Sequence, residues 1–177
     1  MTGGDIERRT IAEMRTAGRR LEGYAAMFGS DARLGGFVET IAPGAFHRAL
    51  AGDVLAFLDH DPGKVLGRTK SGTLRLAEDT RGLAFSLDLP DTQAGRDVLT
   101  LAARGDLGGM SFGFTVPAGG DTWNGERRTL RTVNLKEISV VQAWPAYPNT
   151  EVAVRAQRRG DIARRRALIL AEASAWT

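Results

Sequence analysis

What most limits the fold of this chain is the spacing of its apolar residues. They fall in short extended runs broken by Gly, Asp and Pro, and only two or three times at helical intervals. Leu21-Glu22-Gly23-Tyr24-Ala25-Ala26-Met27-Phe28 reads as a strand ended by Gly29-Ser30-Asp31, and Phe37-Val38-Glu39-Thr40-Ile41 as a second extended run. Val54-Leu55-Ala56-Phe57-Leu58 is apolar throughout, the pattern of a strand buried on both faces, and it enters a turn, Asp59-His60-Asp61-Pro62-Gly63. Thr73-Leu74-Arg75-Leu76 and residues 83–89 read as strands, with a hairpin loop at Asp79-Thr80-Arg81-Gly82. Further strands are expected around Ser111 and over 127–133, 135–143 and 151–155. A loop is expected over 117–125 and a rigid turn at Trp144-Pro145-Ala146-Tyr147-Pro148-Asn149.

Three helices are expected. Pro43 suits the first position of one running to Leu50. Asp91 or Thr92 can cap a second that continues through Arg104, with Val98, Leu99, Leu101 and Ala102 as its apolar stripe and Gly105 as its stop. The basic segment 160–173 is the third. Strands adjacent in sequence favour antiparallel pairing over βαβ units. The expected class is therefore α+β, a mainly antiparallel sheet or barrel with flanking helices. Residues 1–18 show no sustained period and read as an N-terminal arm, 19–156 as the domain, and 157–177 as a basic helical tail.

Composition narrows the chemistry. A chain of 177 residues suits one domain with a sizeable core. No apolar run approaches the ~18–20 residues of a membrane span, and the N-terminus lacks a charged-then-apolar signal pattern, so neither membrane insertion nor export is expected. With no cysteine there is no disulfide, thiol nucleophile or thiolate metal site. Two histidines, His47 and His60, cannot build a multi-histidine zinc site. Acid–base chemistry near neutral pH must rest on one of them, or on a strongly shifted carboxylate or lysine. The net charge of +3 gathers in the tail, at Arg155, Arg158, Arg159, Arg164, Arg165 and Arg166.

Three residues can carry chemistry. In Met110-Ser111-Phe112-Gly113-Phe114 a strand would turn the bulky side chains one way and Ser111 with Gly113 the other. Gly108, Gly109 and Gly113 would let a substrate strand approach closely. By composition alone, a Gly-flanked surface serine on an edge strand is the commoner explanation. The strand continues through Phe114-Thr115-Val116, so the strand-to-helix elbow of an α/β-hydrolase is excluded. His60 follows an apolar strand between Asp59 and Asp61; a solvated turn histidine is its bland alternative, and His47 has the weaker claim. Glu137 shares a strand face with Ser139, opposite Ile138 and Val140. A lone acid there is costly to bury without a partner, or else faces solvent. A serine nucleophile needs a base in reach and an acceptor that orients that base.

Set in order, these pieces resemble the prohead proteases of tailed phages, capsid-maturation serine proteases related in fold to herpesvirus assemblin. The likeness rests on Gly23-Tyr24-Ala25-Ala26-Met27-Phe28, on Phe37-Val38-Glu39-Thr40-Ile41-Ala42-Pro43-Gly44-Ala45-Phe46 and on Leu58-Asp59-His60-Asp61 with Leu66-Gly67-Arg68. It continues through Gly109-Met110-Ser111-Phe112-Gly113-Phe114 and Glu137-Ile138-Ser139-Val140-Val141, then Pro145-Ala146-Tyr147. The resemblance implies an assemblin-like fold, Ser111 as nucleophile and His60 as base. Its third member stands on a later strand, where Glu137 falls, with Asp59 or Asp61 as the alternatives. Herpesvirus enzymes use a second histidine there, which this chain lacks.

The resemblance further implies a serine endopeptidase with no metal or cofactor. Its substrates would be the scaffolding portion of the major capsid protein and the protease itself, cut inside the immature capsid in the bacterial host. Assemblin-like enzymes also suggest dimerisation. The alternative is a catalytically silent scaffold or capsid-interaction protein that keeps the fold. Nucleic-acid binding by the arginine-rich tail is a third reading, but no aromatic residues interleave there and a solvated basic face is commoner.

Overall fold

A computed structural model describes residues 6–11 and 14–143. In chain order the described residues form β1 (Glu7–Ile11), β2 (Met14–Ala17), β3 (Arg20–Met27), β4 (Ala32–Leu34), β5 (Phe37–Ile41), β6 (Leu55–Leu58), β7 (Asp61–Arg68), β8 (Leu74–Glu78) and β9 (Gly82–Asp88). There follow helix α1 (Gln93–Arg104), β10 (Gly109–Thr115), β11 (Asp121–Asn124), β12 (Arg127–Leu130) and β13 (Asn134–Val141). They build three open sheets, ordered β1-β10-β13-β6-β7, β11-β12-β5-β4 and β2-β3-β9-β8. None closes into a barrel. Pairing is antiparallel except where β12 meets β5 and β13 meets β6.

Most of the expected strands form. The hairpin loop before β9 closes as anticipated, with the Asp79 carboxylate accepting the amides of Arg81 (2.7 Å) and Gly82 (3.1 Å). The Thr92 hydroxyl caps α1 by accepting from the Gly95 amide, and Gly105 ends it in the left-handed region at φ 75°.

Several expectations are corrected. The segment read as an arm supplies β1 and β2, which join two different sheets. The helix expected from Pro43 to Leu50 is a series of turns ending in a 3-10 turn at Ala49–Ala51, with Gly44 at φ 85° where an α-helix would need a negative angle. β6 is not buried on both faces: Ala56 and Leu58 are buried, Leu55 and Phe57 half-buried. The loop expected over 117–125 contains β11, and the turn after β6 is only two residues long. The turn at 144–149, the strand at 151–155 and the helix at 160–173 lie outside the described residues.

The core lies against one face of the first sheet. Met110, Phe112 and Phe114 are at most 1% exposed, and cross-strand partners Ile138 and Val140 of β13 and Ala56 and Leu58 of β6 lie on the same face. Phe112 stacks on Phe114 at 5.2 Å between centroids and meets Phe46 edge-on at 5.6 Å. The opposite face of this sheet carries the polar residues that could do chemistry.

Candidate active site

Ser111 sits in the middle of β10, between β1 and β13. Its Cα partners are Thr10 on one side and Ser139 on the other. It therefore does not occupy an edge strand, and at 1% exposure it is not a surface serine. The alternation is as the sequence implied, with the aromatic side chains in the core and Ser111 and Gly113 on the other face. The Ser111 hydroxyl is buried and has no hydrogen-bond partner, an uncommon state for a buried polar atom that calls for a functional account.

His60 is placed by strain. Leu58 pairs directly with Asp61, so Asp59 and His60 form a two-residue hairpin turn, and both adopt positive φ, 51° and 61°. That is the backbone of the primed hairpin turns, which normally recruit Gly or Asn. They are the only non-glycine residues at positive φ among those described. Each costs on the order of 1–2 kcal/mol relative to ordinary backbone. Neighbouring bonds hold the turn: the Asp59 amide donates to the Val140 carbonyl (2.9 Å) and its carboxylate accepts the Gln142 amide (2.9 Å).

Glu137 is aimed by an irregularity in β13. Gly113 pairs with Glu137, but the next residue, Phe114, pairs with Leu135, leaving Lys136 as an extra residue. This β-bulge puts Leu135 beside Phe114 on the core side and Glu137 beside Gly113 on the polar side, although residues two apart on a regular strand share a face. Gly113 makes the room. A Cβ there would stand 2.5 Å from Glu137 Oε1 and 3.0 Å from its Cγ and Cδ.

The buried Glu137 carboxylate is ringed by donors. His60 Nδ1 lies 2.7 Å from Oε1, Arg8 Nε 3.2 Å from the same oxygen, and the Ser139 hydroxyl donates to Oε2 at 2.5 Å. Burial alone would raise the Glu137 carboxyl. The hydrogen bonds from His60 and Ser139, with the charges of His60 and Arg8, outweigh it and hold the group below its ordinary range. An ionised Glu137 can accept a proton-bearing Nδ1, which leaves Nε2 of a neutral imidazole as the basic nitrogen.

Of the acids weighed for His60, Glu137 is the one in hydrogen-bond contact. Asp59 is occupied by the Gln142 amide, and Asp61 accepts the Gly63 amide (2.8 Å) beside Lys64 (3.5 Å). Ser111 shares the sheet face and neighbouring strands with Glu137, but no hydrogen bond joins it to His60. His47 lies apart, in the turns before the 3-10 segment. Arg8 escapes the sequence reading because residues 1–18 show no sustained period, and Ser139, on the same strand face as Glu137, carries no mark there of its bond to that carboxylate. No His, Asp and Glu grouping suited to a metal ion occurs among the described residues.

A strand-borne serine and a histidine–carboxylate pair on one sheet face are shared by many hydrolases. A family model described as Caudovirus prohead serine protease matches residues 5–164, a span that takes in β1 and all three candidate residues. The chain belongs to the caudovirus prohead serine protease family. No curated protein and no solved structure gives a significant match. Membership of this family supports a serine peptidase of the kind associated with capsid maturation in phages. No helix among the described residues is long and apolar enough to cross a membrane.

Proposed function

We propose that the protein is a serine endopeptidase that removes the scaffolding portion of the major capsid protein, and cuts itself, inside the immature capsid in the bacterial host. In this reading Ser111 is the nucleophile, His60 its general base and Glu137 the residue that orients the imidazole and stabilises its charged form. The observation that carries it is the 2.7 Å contact between His60 Nδ1 and Glu137, on the sheet face that holds Ser111, in a prohead serine protease family member.

The chemistry follows from proton placement. Glu137 fixes the proton on Nδ1, so Nε2 is free to take the Ser111 proton as Oγ attacks the scissile carbonyl. The imidazolium then protonates the leaving amine, and water repeats the sequence on the acyl-enzyme. The unpartnered Ser111 hydroxyl is consistent with a resting site whose serine–histidine bond forms only with substrate, a common state of unliganded catalytic groups.

Co-expression with the cognate major capsid protein tests the proposal. Wild-type protein is expected to shorten the capsid protein, and Ser111→Ala to leave it full-length. Unchanged cleavage by the variant would remove Ser111 from the mechanism. Full-length capsid protein with both chains would favour a silent capsid-interaction role. Glu137→Gln is expected to slow cleavage strongly, with Asp59→Asn and Asp61→Asn close to wild type.

A further inference from the structure

β1 has two faces with different work. Glu7 and Arg9 point inward and are 8% and 9% exposed. Arg9 makes two bonds to Glu39, at 2.6 and 2.8 Å, and one to Glu7, at 3.0 Å. Arg128 bridges Glu7 at 2.6 and 2.9 Å, Glu39 at 3.0 Å and Asp121 at 2.8 Å. This buried network ties β1 to β5, β11 and β12, and so fixes its register on β10. In that register Arg8, on the outer face, stands opposite Gly113.

Arg8 Nε is 3.1 Å from His60 Nδ1 and 3.2 Å from Glu137 Oε1. Both cannot be hydrogen bonds to lone pairs at once. The 2.7 Å separation of Nδ1 from the carboxylate oxygen leaves no room for two facing lone pairs, so the proton lies between them. The Arg8 N–H is then left to Glu137. We propose that Arg8 is a positioning residue of the His60–Glu137 pair: it completes the donor ring around Glu137 and places a cation where it opposes an extra proton on the pair.

This inference rests on the catalytic reading above and adds a fourth member to it. Besides the pair itself, the charged and titratable groups on the elements that form it are Arg8 from β1, Lys136 next to Glu137 on β13, Asp59 in the turn and Asp61 with Lys64 from β7. Both aspartates have other partners. Removing the Arg8 charge raises the proton affinity of the pair as a unit. The acid limb of the rate profile therefore moves to higher pH.

The test is the rate at which the purified full-length protein reacts with a fluorophosphonate–rhodamine probe across the neutral range. Oγ displaces fluoride from phosphorus as the base takes the hydroxyl proton. Arg8→Gln is expected to react roughly tenfold more slowly at neutral pH, less than the ~10²–10⁴-fold that the general base itself contributes. Its acid limb should lie at higher pH and its thermal midpoint at the wild-type value, because Arg8 is 40% exposed. Arg8→Lys, which keeps the charge, should restore the limb. Arg8→Gln with wild-type rate and limb would overturn the inference. So would equal losses in both variants accompanied by a lowered midpoint, which would make Arg8 a strand anchor. Ser111→Ala separates the two layers: if it still reacts, the catalytic reading itself falls. If it is inert while Arg8→Gln behaves as wild type, only the role of Arg8 falls.

Discussion

Gly113 shows how closely this site is fitted. From sequence its role is close backbone approach by a substrate strand; in the structure the close neighbour is the Glu137 carboxylate, 2.5 Å from where a Cβ would stand. Gly113→Ala should therefore push Glu137 off His60. The predicted result is a loss of capsid-protein cleavage approaching that of Glu137→Gln, with the protein still folded by circular dichroism. Wild-type cleavage by Gly113→Ala would show that the His60–Glu137 contact is dispensable. His60 offers a second test at this scale. Asn tolerates the left-handed backbone at φ 61° as well as His does. His60→Asn should abolish cleavage while shifting stability by less than about 1 kcal/mol in urea titration. In the sequence Ser111, His60 and Glu137 are marked by the family resemblance, since each taken alone has a commoner bland reading. Arg8 was not, since one arginine in Glu7-Arg8-Arg9-Thr10 carries no mark that separates it from Arg9, which goes inward.

At the scale of elements, β1 is tied down by buried charge as well as by its ladder with β10. Arg128 is buried against Glu7, Glu39 and Asp121, and its guanidinium lies 5.7 Å from the Trp123 ring centroid. Truncating one member strands the others. Arg128→Ala is expected to cost about 3–5 kcal/mol, the usual penalty for leaving a buried charge uncompensated. Urea titration measures it, and a loss below about 1 kcal/mol would mean that β1 is anchored elsewhere. Sequence periodicity found β3, β9 and α1 because their apolar residues repeat on one face. It does not find β1, β2, β4 and β11, which are short and carry no sustained apolar alternation; of these only β1 pairs with a strand far away in sequence. The bulge at Lys136 was equally hidden, since it exists only in the pairing of β13 with β10.

The whole molecule carries these carboxylates as an acid sensitivity. Burial would raise Glu7, but the hydrogen bonds and charge of Arg128, with those of Arg9, outweigh it and leave the group below its ordinary 4.5. Glu137 is lowered in the same way. For both, the unfolded chain binds protons more readily, so their stabilisation is present above pH ~4.5 and lost as pH falls through the lower folded values. Urea midpoints should thus be level from neutral pH to about pH 5 and fall steeply below it. A midpoint unchanged down to about pH 3 would contradict the ionised network. The antiparallel character of the fold was readable from strand order alone. Its division into three open sheets was not, because the two parallel pairings join strands widely separated along the chain.

The most direct measurement of the central claim is to map the fluorophosphonate adduct by peptide mass spectrometry. The catalytic reading predicts one modified residue, Ser111, with no adduct in Ser111→Ala and a large drop in His60→Asn. An adduct on any other residue, or one on Ser111 that forms as fast without His60, would contradict it.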